Sequence, residues 1–163
     1  MTQPEAGTAD DISIRLRRSL AGDLPAPVWA DGFTMRKFQP ADARAVHKLL
    51  TETLQKEEKN FDIWWEQHST DATFDPALWF VVNDAQGQVV AVALCWTCDY
   101  LKYLAVHPSA RRNGLAEALL LHVFAVFKAR GASRLDLKTK VVENANAIRL
   151  YRRHGMVEVD WNG

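Results

Sequence analysis

Only two cysteines, Cys95 and Cys98, occur in 163 residues. That is too few for a disulfide framework and fits a reducing compartment. No stretch reaches the roughly 18 uninterrupted apolar residues of a membrane span. Met1 to Asp11 is polar and acidic and lacks the apolar run of a signal peptide. The expectation is therefore a cytoplasmic protein with no membrane partner. Net charge is absent too, since 20 Lys/Arg balance 20 Asp/Glu. No internal repeat or low-complexity segment breaks the chain. What remains, 48% apolar and 25% charged, is the profile of a globular domain large enough to bury a core without staples.

The balanced total hides an asymmetry. Met1 to Tyr100 carries 9 Lys/Arg against 15 Asp/Glu, and Leu101 to Gly163 carries 11 against 5. The C-terminal part suits an anionic ligand and the N-terminal part a cationic one. The arginines gather at one turn and at helix ends rather than along an exposed stripe, which argues against a nucleic-acid partner.

Periodicity divides the chain into residues 1–32, a tail with a short alternating strand at Ile12–Leu16 and a Pro/Gly connector over Ala21–Gly32, and a compact domain over 33–163. Within the domain the expected order is a strand at Phe33–Phe38 and a helix opened by Pro40-Ala41-Asp42, with Val46, Leu49, Leu50 and Leu54 on one face. A short helix at Phe61–His68 follows, then strands at Leu78–Val82, Val89–Trp96 and Tyr100–Val106. The period then changes to helical from Leu115 to Gly131. A strand around Leu135 and Leu137, a helix over Ala145–His154 and a last strand at Val157–Val159 complete the α/β pattern.

The most informative junction is His107-Pro108-Ser109-Ala110-Arg111-Arg112-Asn113-Gly114-Leu115-Ala116. A strand runs into a glycine-containing loop that opens a helix, so backbone N–H groups converge where a phosphate or pyrophosphate is the natural occupant. Arg111 and Arg112 add positive charge, while Gly114 and Ala116 keep bulk away. The junction matches neither the P-loop nor the dinucleotide fingerprint. A second pattern, Asn144-x-x-Ala147-x-x-Leu150-Tyr151-x-x-x-Gly155-Met156, places Asn144 at a helix start and Gly155 at its end.

Together the two patterns resemble the GNAT superfamily of acyl-CoA-dependent N-acetyltransferases, over about 125 residues. The resemblance implies the GNAT fold, a mixed, mostly antiparallel, splayed sheet flanked by helices, with acetyl-CoA as cosubstrate. It implies that Leu104, Ala105 and Val106 hold the pantetheine arm through backbone bonds. Arg111, Arg112, Asn113, Gly114, Leu115 and Ala116 would bind the pyrophosphate, and Asn144 and Tyr151 would line the thioester end. The segment from Phe33 to Val46 and the Trp79-Phe80 strand look similar to mycothiol-synthase-like GNAT proteins, from which no substrate is inferred. The implied reaction is direct acetylation of an amine on a small molecule or peptide. A non-catalytic CoA-binding module of the same shape is the alternative.

An alkyl amine with a pKa of about 10 must lose a proton before it attacks a thioester, and the leaving thiolate must gain one. Tyr151 stands where the family usually carries the phenol that donates. Many members carry a carboxylate on the strand before the V-x-P turn, whereas Tyr100–Val106 offers Lys102 and no acid. Asp99 and Glu143 are the nearest candidates for the base, with a water relay as the alternative. Trp64 and Trp65 of the second helix either border the acceptor pocket or pack in the core. Cys95 and Cys98, three apart on an extended segment, face opposite sides, and His107 and His154 have no visible metal partner, so no metal is expected.

The GNAT fold usually has two strands after the Asn144 helix, and Val157–Val159 leaves room for one. Ile12–Leu16 could supply the other, because Leu20–Gly32 can span up to roughly 40 Å and crossing five strands takes about 24 Å. The strand could enter its own sheet or that of a second copy, making a homodimer by exchange. The exchanged arrangement is the one favoured here.

Overall fold

The computed structural model describes residues 12–54 and 57–161, so the tail expected over Met1–Asp11 lies outside it. The first strand, β1 (Ser13–Ser19), contains the alternating segment and buries Leu16 completely. After the connector, β2 (Thr34–Lys37) leads into a 3-10 turn at Pro40–Asp42 and helix α1 (Ala43–Thr53). Asp42 fixes that entry by accepting the Gln39 N–H at 2.8 Å while gripping Arg36 through two bonds of 2.7 Å. Helix α2 (Phe61–Ser69) starts where Asn60 caps the N–H of Ile63 at 3.0 Å.

Strand β3 (Trp79–Asn83) begins one residue later than its apolar run, because Asp75 caps Ala77 and draws Pro76–Leu78 into a 3-10 turn. Strand β4 (Val89–Trp96) reads as an unbroken apolar run because both of its faces are covered. Val92 and Leu94 pack with α1 and α2, and Ala91, Ala93 and Cys95 pack toward α3. The chain continues through β5 (Tyr100–Val106), α3 (Leu115–Ala129), β6 (Arg134–Lys140), α4 (Ala145–Arg153) and β7 (Val157–Val159).

The seven strands form one sheet in the order β2-β3-β4-β5-β6-β1-β7, antiparallel everywhere except between β5 and β6. At that one parallel step the strands meet only at Tyr100 and Asp136 and then part. The split is helped by a bulge in β5. Leu94 faces Tyr103 but Cys95 faces Leu101, leaving Lys102 as the extra residue.

The exchange favoured from the sequence is not what the structure shows. Strand β1 lies in its own sheet, between β6 and β7. Its register places Arg17 opposite Asp136, whose carboxylate, 2% exposed as a residue, takes bonds of 2.8 and 2.9 Å from Arg17 and 2.8 Å from Arg15. At the end of the strand the Leu20 N–H reaches the Ser133 carbonyl at 2.9 Å. A chain that already offers this sheet the missing strand, on a connector long enough to reach, gains all of these contacts without the entropy cost of a second molecule.

Candidate active site

The parting of β5 from β6 opens a cleft of about 420 Å³. Its walls are the end of α1 (Thr53, Leu54), Leu104–Val106 of β5, the turn at Arg111–Ala116 and the inner face of α4. Strand backbone that has lost its neighbour must find other hydrogen-bond partners, so the β5 edge is a template for an extended ligand arm.

The turn below is shaped by its own polar groups. His107 accepts the Ser109 N–H at 3.1 Å, and the Asn113 side-chain amide donates to the carbonyls of Ala110 at 2.9 Å and Arg111 at 3.2 Å. Asn113 therefore braces the loop and is not among the cleft-lining residues, although it was grouped with them on the sequence. Arg112 and Gly114 take left-handed φ values of 67° and 69°, which turns the chain sharply into α3. The first bond of that helix runs from Ala118 N to Gly114 O, so the amides of Leu115–Glu117 are left for an anion. Glu117, the acid of this first turn, is drawn to α4, 3.0 Å from His154 and 3.5 Å from Arg153. Arg111, Arg112 and Arg153 all line the cleft.

At the other end stand Asn144 and Tyr151. Asn144 is the residue before α4, and its side chain makes no capping hydrogen bond to that helix. Tyr151 is 7% exposed, and burial pushes its hydroxyl up to about 12. It is a neutral donor at every physiological pH.

The two acids expected near the site are placed differently. Glu143 lies in an adjoining depression of about 270 Å³ that shares Leu54 and Asn144 with the main cleft, and its carboxylate is 3.9 Å from Lys140. Asp99 sits in the β4–β5 turn with φ 59°, its carbonyl accepting the Asp136 N–H at 3.0 Å. It marks the closed end of the split and does not line the cleft. Cys95 is buried, which pushes its thiol pKa up, and Cys98 is exposed. Among the described residues no group of three or more His, Cys, Asp or Glu could hold a metal.

Trp64 is fully buried against His47, His68 and Trp79, a core residue, whereas Trp65 is half-buried against Phe38 and Phe74. Behind the cleft lies a set of groups that sequence reasoning missed. The Tyr103 hydroxyl, on β5 next to Leu104, donates to Glu57 Oε1 at 3.0 Å and lies 3.2 Å from His68 Nε2. His68 Nδ1 is 2.7 Å from the Trp64 carbonyl. Burial lowers the His68 pKa, and it raises that of Tyr103, helped by the Glu57 charge. The signals were weak. A histidine and a tyrosine on apolar faces are commonplace, and Tyr103 stands 35 residues from His68 and 46 from Glu57.

Comparisons with known proteins agree with this geometry. A profile described as Acetyltransferase (GNAT) family matches residues 43–156. A protein named mycothiol acetyltransferase from Thermobispora bispora is 28% identical over 159 residues, covering 86% of this chain and 52% of that protein. A second of that name, from Beutenbergia cavernae, is 35% identical over 91 residues, 53% of this chain and 30% of that protein. The chain thus spans about half or less of the length of these curated relatives. Among solved structures, a GCN5-related N-acetyltransferase from Sphaerobacter thermophilus superposes with a TM-score of 0.80 at 30% identity, covering 90% of this chain and 48% of that one.

Proposed function

The chain belongs to the GNAT acetyltransferase family, and from that premise we propose that it transfers an acetyl group from acetyl-CoA to an amine acceptor by direct attack. The observation that carries this reading is the split between β5 and β6, which ends at an arginine-flanked helix N-terminus. The pantetheine arm takes the place of a neighbouring strand along Leu104–Val106. Its pyrophosphate sits on the amides opening α3, with Arg111 and Arg112 beside it. The residues fit this cosubstrate: an extended amide-bearing arm meets an unpaired strand edge, and an anion meets free N–H groups.

Catalysis is then positioning plus two proton movements. Tyr151 donates a hydrogen bond to the sulfur as the carbon–sulfur bond breaks. Its pKa of about 12 lies above the roughly 8.5 of a thiol, so complete proton transfer is uphill in isolation. Hydrogen bonding in the transition state, as charge develops on the desolvated sulfur, is its contribution. The Asn144 amide faces the same end of the cleft and can orient the thioester. Of the two acids considered from the sequence, Glu143 is the nearer to this end.

The acceptor class is a primary amine on a small molecule or a peptide. The test is mass spectrometry of a panel of polyamines, amino-acid amides, amino sugars and short peptides incubated with protein and acetyl-CoA, with CoA binding followed by calorimetry. Acetylated amine together with CoA binding abolished by Gly114→Glu is the expected result. CoA binding without transfer to any amine would make the chain a CoA-binding module, and retained affinity in Gly114→Glu would remove the assigned site.

A further inference from the structure

We propose that Glu57, Tyr103 and His68 form the proton-accepting relay of this acetyltransferase, with Glu57 as the group that meets the acceptor ammonium. The inference rests on the reading of the chain as an amine acetyltransferase. It supplies the base that β5 lacks as a carboxylate.

The argument is a count of hydrogens. The Trp64 carbonyl can only accept, so the 2.7 Å contact from His68 Nδ1 places the proton of the neutral ring on Nδ1. Nε2 is then a lone pair, 3.2 Å from the Tyr103 oxygen. On its other side that oxygen is 3.0 Å from the Glu57 carboxylate, which when ionised also only accepts. Two acceptors compete for one phenolic hydrogen, so the network is one proton short. Adding that proton completes it. His68 Nε2–H donates to the Tyr103 oxygen, Tyr103 donates to Glu57, and the imidazolium is balanced by the carboxylate across the phenol.

The place is right for an incoming amine. Glu57 is half-buried and its N–H is bonded at 3.0 Å to the carbonyl of Leu54, which lines the cleft, while Tyr103, on the opposite face of β5 from its neighbour Leu104, packs with Leu54 against one cluster. His68 itself is 7% exposed, held between Trp64 and Trp96. In the relay the half-buried Glu57, tied to the cleft wall through Leu54, is the member on the substrate side, and Tyr103 and His68 act through it as positioning residues. In the step, one N–H bond of the ammonium breaks and its electron pair stays on nitrogen. The proton enters the network at Glu57, and the freed pair attacks the thioester carbonyl. The charged groups acting on His68 are Glu57 and Asp71, which favour its protonation, and Lys102 of β5, which opposes it. Burial outweighs them and keeps the ring neutral, ready to accept.

The experiment pairs a readout that needs no turnover with one that does. Nitrogen-15 NMR of the full protein should show His68 as the Nδ1–H tautomer. Its protonation midpoint should fall in Glu57→Gln, since a negative charge that favours the imidazolium is lost. In the turnover arm, Tyr103→Phe and Glu57→Gln should each lower kcat/KM by about 10²-fold or more with unchanged CoA affinity. The acid limb of the wild-type profile should coincide with the His68 midpoint and move with it in Glu57→Gln. A His68 ring that carries its proton on Nε2, or a midpoint untouched by Glu57→Gln, overturns the relay whether or not an acceptor has been found. A pH profile that fails to follow His68 overturns it too. Loss of transfer to every amine by the wild-type protein, with the NMR behaviour intact, instead defeats the acetyltransferase reading and leaves the proton-accepting network established. Melting temperatures of both variants within a few degrees of wild type exclude unfolding as the cause of any loss.

Discussion

At the residue scale the site depends on groups whose protonation is set by burial. Tyr151 is the clearest case, because a phenol held up to about 12 has no acid–base role except as a donor. Tyr151→Phe keeps the ring that packs in the cleft wall and removes only the hydroxyl. Turnover should fall by roughly 10- to 1000-fold while calorimetric CoA affinity is unchanged, and a rate within about twofold of wild type would make the residue a packing aromatic. Asp136 makes the opposite case. Burial pushes its pKa up, but hydrogen bonds from Arg17 and Arg15 outweigh this and hold it below the usual carboxylate value. A depressed carboxylate contributes stability that is complete above its unfolded pKa and is lost as pH falls through the folded one. Asp136→Asn should therefore cost about 2 kcal/mol at pH 7, less than breaking a fully buried pair because both guanidiniums are partly wet. The gap to wild type should be full at pH 7 and clearly smaller at about pH 2.5, having shrunk as pH falls below the unfolded carboxylate value of about 3.9 and on through the lower folded one. Urea midpoints at the two pH values decide it, and a gap independent of pH would take the ion pair out of the explanation.

At the scale of elements, the strands and helices that carry their own local signal were legible. Strands β3 and β4 are two, joined by a turn in which the Asp84 carboxylate accepts the N–H groups of Gln86 at 3.0 Å and Gln88 at 2.9 Å. The helix from Leu115 is another, and so is the junction at Gly114. Features made by residues far apart in sequence were not legible. The alternation of Ile12–Leu16 announced a strand but not its neighbours, because β6 and β7 lie more than a hundred residues away and the partner could equally have belonged to another copy. The Glu57–Tyr103–His68 chain was hidden for the same reason. The structural position of β1 changes what its removal should do. Leu16 and Leu20 are buried in the core, and without β1 the edge of β6 would be left unpaired and β7 would lose its neighbour in the sheet. Deleting Met1–Leu20 should lower the melting temperature by well over several degrees, with no change of assembly in sedimentation, and a synthetic peptide of residues 12–20 added in excess should restore part of the loss. A truncated protein of unchanged stability, or one whose assembly shifts on truncation, would contradict insertion within the chain.

At the scale of the whole molecule, the opposed charge of the two halves finds a use in the split sheet. The half up to Tyr100 is acidic and supplies α1, α2 and Glu57. The half after it is basic and supplies Arg111, Arg112 and Arg153 around the helix N-terminus. Under the proposed function, an anionic CoA ester and a cationic amine would each meet a field of the complementary sign, at the two sides of one cleft. Steering of this kind acts on association and is screened over about 10 Å at 0.1 M salt. With acetyl-CoA saturating, kcat/KM for a cationic acceptor should fall severalfold between about 20 and 300 mM salt. For a neutral aromatic amine of similar size it should stay nearly flat, since that acceptor carries no charge for the acidic half to attract. Steady-state kinetics over a salt series make the comparison. Equal slopes for the two amines, or faster reaction of an anionic acceptor, would show that the acidic half takes no part in drawing the acceptor to the site.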